Sequence, residues 1–158
     1  GANVIGSVGS EERGNHALSA GADKIVNRKD NNFDKNVLNL TNGKGVDRII
    51  EIDFGENVNN DIKILKPNGI IASYSSTTKP NPTFPYYDLA SKGCKINIIQ
   101  SFNFSQQIRK KCCNYIKKLC SDNSLKISIG NVFQLKEIIK AHKMVEEKKT
   151  IGNIVLKI

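Results

Sequence analysis

Two arginines stand where a phosphate could be held. Arg13 follows the short apolar run Asn3 to Val8 by one helical turn, and Arg28 directly follows the run Lys24 to Asn27. Beside them, Ser7, Gly9 and Ser10 supply small and hydroxylic residues. A guanidinium meets a phosphate through two parallel hydrogen bonds, so this set suits a phosphate monoester. The alternative is that both arginines are solvated surface charges.

The remaining reactive side chains form no such set. Glu51 and Asp53 alternate at the end of one apolar run. Paired acids serve glycoside hydrolysis, but nothing else here resembles that chemistry, and they read as structural acids at a strand end. His16 and His142 fall on predicted helices with no Ser or Cys partner, so no nucleophile-base pair is indicated. Cys94, Cys112, Cys113 and Cys120 contain no C-x-x-C pair. Zinc sites draw on ligands that converge, usually as two close pairs. These thiols read instead as reduced cysteines of a cytoplasmic protein. Tyr86-Tyr87 after Pro85 reads as loop packing rather than a lid.

Strand and helix patterns alternate to position these groups. Asn3 to Val8, Lys24 to Asn27, Val46 to Asp53, Ile70 to Ser75 and Ile96 to Phe102 predict strands, rich in β-branched residues. Ser10-Glu11-Glu12 opens a helix to about Ala20, with a serine cap and acids in its first turn. Asn32 to Thr41, Val58 to Leu65 and Ser105 to Cys120 predict further helices, with a short turn near Asp88 to Ser91. Lys66-Pro67-Asn68-Gly69 predicts a turn, and Ser76 to Pro85 an irregular loop with three of the four prolines. The end reads as a strand near Lys126 to Ile129, a helix from Leu135 to about Glu147 and a strand Gly152 to Ile158.

This alternation implies βαβ crossovers and a doubly wound, mostly parallel α/β sheet of the Rossmann type. Such sheets bind ligands outside the carboxyl ends of their strands. G-x-G-x-x-G, the usual pyrophosphate turn, is absent, as is a Walker pattern. The chain reads as a dinucleotide domain without its first strand. In NAD-type domains an acid at the next strand tip binds the ribose 2′-hydroxyl. Here no acid stands on that tip, and the two neighbouring arginines favour NADPH over NADH.

The totals fit a globular domain. The 158 residues are 39% hydrophobic and 25% charged. No run approaches the ~20 apolar residues of a membrane span, and the N-terminus has no signal-peptide pattern. The net charge is +9, which invites a nucleic-acid reading. With 20 Lys, 19 Asn and only 4 Arg, the composition argues against one, because base and phosphate readers lean on Arg.

Ile49-Ile50-Glu51-Ile52-Asp53-Phe54-Gly55-Glu56-Asn57-Val58 resembles a strand and turn of zeta-crystallin-like quinone oxidoreductases, in the zinc-independent branch of the medium-chain dehydrogenase/reductase superfamily. Gly1 to Glu12, Gly21 to Asn27, Leu65 to Tyr74, Phe133 to His142 and Ile151 to Leu156 resemble other segments of that family, in order. The resemblance implies an incomplete NADPH-binding Rossmann domain over 1–124. Residues 125–158 would be a strand-helix-strand tail returning to a GroES-like catalytic domain. It implies that Gly9 and Arg28 lie against the adenosine ribose and its phosphate, and Arg13 matches a position often basic in the family. Asn57 with Tyr74, Ser75, Ser76 and Thr77 would line the cofactor, and Ile99, Gln100 and Ser101 would approach the nicotinamide. Where Arg28 stands, the family often has Tyr or His. The implied activity is hydride transfer from NADPH to a quinone or another conjugated carbonyl, without catalytic zinc, in a homodimer paired along about Lys95 to Phe102. An apolar patch or dimer contact is expected near Val132 to Leu135 and Ile154 to Ile158. The alternative is a non-catalytic nucleotide-binding or dimerising module.

Overall fold

The computed structural model describes residues 1–125, 127–147 and 150–158. Strand and helix alternate through its first part. β1 (Ile5–Val8), α1 (Glu11–Ser19), β2 (Lys24–Asn27) and α2 (Phe33–Leu40) form the first half. β3 (Val46–Glu51), α3 (Phe54–Ile64), β4 (Leu65–Ser73), α4 (Tyr86–Lys92) and β5 (Lys95–Ile98) form the second. A 3-10 turn at Ser101–Asn103 leads into α5 (Gln106–Ser121). The tail holds β6 (Ile129–Gln134), a 3-10 turn Leu135–Glu137, α6 (Ile138–Glu146) and β7 (Asn153–Lys157).

Every pairing between these strands is parallel. β1 pairs with β2, β3 with β4 and β4 with β5, while β6 and β7 pair with each other. The doubly wound architecture is therefore present in two pieces. β1 and β3 each keep one edge unpaired among the described residues. The pieces still share a core: Val26, Val37 and Ile64 pack with Ile5 of β1 and with Val46 and Ile49 of β3. Val46 and Ile49 also pack against Val58, Ile62, Leu65, Ile71 and Leu89 under α3 and α4. One side of the second piece is thereby closed. Its other side shows Ile50 67% exposed, unusual for parallel strands, which are normally covered on both faces.

Local chemistry explains most boundaries. The Ser10 hydroxyl accepts the Arg13 amide at the start of α1, and acids Glu11 and Glu12 follow in the first turn. Gly14 is buried because a Cβ there would lie 2.6 Å from Ile25 Cδ1, so glycine lets α1 approach β2. Gly45 has φ +78°, and a Cβ on it would lie 2.4 Å from the Ile64 carbonyl oxygen. It closes the turn into β3 where no other residue fits without strain.

Several expected boundaries move. α3 begins at Phe54 rather than Val58, because Asp53 leaves the strand and Gly55 admits close approach of the Lys79 carbonyl. The turn Lys66 to Gly69 lies inside β4 as an irregularity: Val46 pairs Leu65, and the next paired residues are Arg48 and Ile70. Asn68 takes φ +60° there. β5 ends at Ile98, so Phe102 lies in a 3-10 turn and not in a strand. The tail strand expected over Lys126 to Ile129 begins only at Ile129 and runs to Gln134, and Lys126 lies outside the described residues. α5 lies within one residue of its expected limits, but none of its residues is buried. Its apolar stripe of Ile108, Cys112, Ile116 and Leu119 packs against no covering layer among the described residues.

Exposed apolar side chains recur in the tail, at Val132, Leu135, Val155 and Ile158. No described helix is long and apolar enough to cross a membrane.

Candidate functional site

The carboxyl ends of β1 and β2 are tied together. The Arg28 amide donates to the Val8 carbonyl at 2.8 Å. This brings Gly9, just past β1, under the side chain of Arg28. A Cβ on Gly9 would lie 3.2 Å from Arg28 Nη2, so the bare backbone leaves room for the guanidinium. Arg13 projects from the first turn of α1, whose orphan amides also favour an anion. Gly9, Ser10, Arg13, Arg28, Lys29 and Thr150 line one open groove of about 460 Å³. Ser7, His16, Ile151 and Gly152 border its continuation. Three cations therefore converge on a surface of glycine and hydroxyl groups, with no carboxylate in its lining among the described residues. Such a surface can hold a phosphate.

A second group of residues surrounds the ends of β3, β4 and β5. The Tyr74 amide donates to the Glu51 carbonyl at 3.1 Å, and the Ile99 amide donates to the Ser73 carbonyl at 2.7 Å. The Phe54 amide donates to the Ser75 carbonyl at 3.0 Å. Asp53 anchors the loop after β4: its carboxylate accepts the Thr78 amide at 3.0 Å and the Thr78 hydroxyl. The Thr78 hydroxyl bond, more than any other contact, holds the Asp53 carboxyl below its ordinary range. Ser76 Oγ accepts the Gly55 amide at 2.9 Å and donates to the Lys79 carbonyl at 2.6 Å. Ser75 Oγ and Thr77 Oγ1 lie 2.8 Å apart.

The sequence-derived residues thus fall into two groups at the ends of two sheets. Gly9, Arg13 and Arg28 meet in the groove. Tyr74 to Thr77 follow β4, while Ile99 and Gln100 lead from β5 into the 3-10 turn that opens at Ser101. Asn57 stands in the first turn of α3 with its Nδ2 donating to Glu51 Oε1 at 2.9 Å. The acids at the end of β3 bind the protein's own backbone and side chains, as structural acids do. They share no strand face, because β3 ends at Glu51. Lys29 and Thr150 were not anticipated. Lys29 directly follows Arg28, which is a usable signal; Thr150 arrives from the tail and has no local one. Tyr86 and Tyr87 pack edge to face, 5.4 Å between centroids, and both remain exposed.

All four cysteines are free, and three of them lie on α5. Among the described residues no three His, Cys, Asp or Glu side chains come together as metal ligands.

The profile of a family described as zinc-binding dehydrogenase matches residues 1–119. The 2-haloacrylate reductase of a Burkholderia species is 28% identical over 99% of this chain and 48% of its own length. The quinone oxidoreductase of Rattus norvegicus is 26% identical over 99% of this chain and 47% of its own. A crystal structure of an NAD-dependent alcohol dehydrogenase superposes with a TM-score of 0.84 at 26% identity, covering 100% of this chain and 44% of the other. The chain spans about half the length of the curated relatives it matches.

Proposed function

The chain belongs to the zinc-binding dehydrogenase family, and on that premise we propose that it supplies the cofactor-binding half of an NADPH-dependent oxidoreductase acting on a quinone or another conjugated carbonyl. One observation carries the reading: Arg13 and Arg28 converge with Gly9 and Ser10 on one groove at the tips of β1 and β2. A 2′-phosphate fits this set because two guanidiniums can share its oxygens and no acid in the lining repels it. One matched structure is named for NAD, so the preference for the phosphorylated cofactor rests on this chain's own arginines.

NADPH supplies the hydride. The protein's part is positioning. Gly9 leaves space for the adenosine ribose, and Arg13 and Arg28 grip the phosphate. Asn57 and the segment Tyr74 to Thr77 border the middle of the cofactor. Ile99, Gln100 and Ser101 present backbone groups to the nicotinamide end, and Ile99 is held for this by its bond to Ser73. No side chain of this set acts as acid or base. The substrate is selected by a catalytic domain that residues 125–158 approach, and the relatives named for quinone and haloacrylate reduction support an electron-poor double bond as the acceptor. We place the protein in the zinc-independent branch and in the cytoplasm; four unpaired cysteines support the latter.

Titration of the full-length gene product with NADPH and NADH tests the proposal. The expected result is saturable binding with NADPH clearly the tighter. Equal affinity, or no binding of either, sinks it.

A second reading, a non-catalytic dimerising module, draws on the open edge of β5, where Ile98 is 85% exposed. Under the first reading the same edge pairs two subunits. A protein that dimerises along β5 but binds neither nucleotide would favour the second.

A further inference from the structure

Asp61 lies on the inward face of α3 and is 5% exposed. Its Oδ2 has no hydrogen-bond partner among the described residues. Its hydrogen-bonding neighbour is another acid, Glu51, the last residue of β3 and also 5% exposed. Two carboxylates have no proton with which to bond each other. Two bare negative charges buried side by side would be strongly unfavourable.

Among the described residues no cation neutralises the pair. The elements packed on α3 are α2, β3, β4 and α4. From α2, Asp34 is engaged by Lys63 at 3.9 Å and Lys35 is exposed. From β3 and β4, Asp47 and Lys66 pair with each other at 2.8 Å and Arg48 is exposed. From α4, Lys92 donates to the Leu65 carbonyl and Asp88 is exposed. On α3 itself Glu56 pairs with Lys79. Asp53 is held by Thr78.

Glu51 also does something outward. Its Oε1 accepts the Asp53 amide and, at 2.9 Å, Nδ2 of Asn57. One carboxyl therefore links the buried acid to the tip where β3 turns into α3.

We propose that Glu51 and Asp61 share a single proton and act together as positioning residues, Asp61 holding Glu51 so that its other face fixes Asn57 and the Asp53 turn at the cofactor site. The role at the site rests on the reading of that tip as cofactor-binding; the shared proton does not. Burial first, and the charge of Glu51 second, push the Asp61 carboxyl up to about 8. That proton bridges the two side chains and leaves Asp61 as pH rises past this point. With both groups ionised, repulsion drives Glu51 from its place and the Asn57 contact is lost.

The test uses the full-length protein and its Asp61→Asn variant, which keeps the shape and a donor but cannot ionise. Infrared spectra at pH 7 should show the carbonyl stretch of a protonated carboxyl group in the wild type, missing from Asp61→Asn. The band should fade as pH passes about 8. NADPH affinity of the wild type should fall by up to about tenfold per pH unit above that point, the limit for one linked proton, while that of Asp61→Asn stays flat. A missing band at pH 7 overturns the shared proton, whatever NADPH does. A band that titrates while NADPH binds with flat affinity overturns the positioning role. A band that titrates in a protein blind to NADPH refutes the proposed function and the positioning role that rests on it, but leaves the shared proton standing. Glu51→Gln serves as the second variant should Asp61→Asn fail to fold: it removes the neighbouring charge, so the band should fade at a lower pH than in the wild type.

Discussion

Replacing Arg28 with alanine should separate the two nicotinamide cofactors. The backbone of Arg28 is fixed by its bond to Val8, and its side chain is exposed. Truncation therefore removes a guanidinium without opening the core. A hydrogen bond to a charged group contributes about 1.5–3 kcal/mol. The groove is open to solvent, and salt screens its charges, so the lower half of that range applies. About 1.5–2 kcal/mol corresponds to roughly 10–30-fold in affinity. NADH has no 2′-phosphate and should bind unchanged. The minimal probe pair is 2′,5′-ADP against 5′-AMP, which needs no nicotinamide subsite; calorimetric titration of the full-length wild type and Arg28→Ala gives all four constants. Arg13→Ala should act in the same direction, and the double variant should lose less than the sum, because both grip one phosphate. Raising the salt concentration should shrink the wild-type preference. The reasoning is refuted if Arg28→Ala weakens both probes equally, or if the wild type prefers 5′-AMP.

Gly9→Val should cost affinity for the same probes, because even a Cβ there lies 3.2 Å from Arg28 Nη2; 2′,5′-ADP titration would detect it, while thermal stability changes little. Gly45→Ala combines φ +78° with a Cβ 2.4 Å from the Ile64 carbonyl, and should destabilise by about 2 kcal/mol or more in denaturant unfolding. Leu65→Ala removes a side chain only 1% exposed at the centre of the second core cluster, and should cost about 2–5 kcal/mol by the same measurement. Asp53 titrates below its ordinary value of 3.8, so its contribution is whole above that value and disappears as pH falls through the lowered one. The protection of the Thr78 amide against hydrogen exchange, relative to its intrinsic rate, should therefore fall on acidification, and Asp53→Asn should remove that change in protection.

Periodicity carried most of the fold. β2 has its expected limits, and α1, α2 and α5 lie within a residue or two of theirs, because caps, acids and glycines there act locally. The errors have a common cause in contacts made far along the chain. α3 starts early because Gly55 packs under Lys79, and β5 stops early because the chain turns into a 3-10 helix after Gln100. The stripe on α5 predicts a buried face, yet periodicity reports only that such a face exists and not what covers it. At the site, Arg13 and Arg28 were legible because each sits beside a strand tip in sequence. Thr150 was not, because only the return of the tail brings it to the groove. The Glu51–Asp61 pair was half legible: alternation marked Glu51 as structural, but its partner lies ten residues on, across the strand-helix turn.

The exposed faces bear directly on how the site could work. Under the proposed function the tips of β1 and β2 and those of β3 to β5 hold one extended ligand, yet β1 and β3 are not paired with each other or with a strand between them among the described residues. Their relative position depends on the shared core around Val46, Ile49 and Ile64. Ile50 on the open side contributes nothing to it. Hydrogen bonds along a sheet fix strand tips in register, whereas apolar packing on one face tolerates sliding. Each half of the site is therefore tied within itself by backbone hydrogen bonds, while the two halves meet through the shared apolar core. A ligand that spans both pays for that ordering when it binds, so whatever pairs with the free edges of β1 and β3 or covers Ile50, Ile98 and α5 should tighten cofactor binding without touching the cofactor. Affinity for 2′,5′-ADP, which needs only the β1–β2 half, should be insensitive to that covering. Affinity for NADPH, which needs both halves, should rise with it.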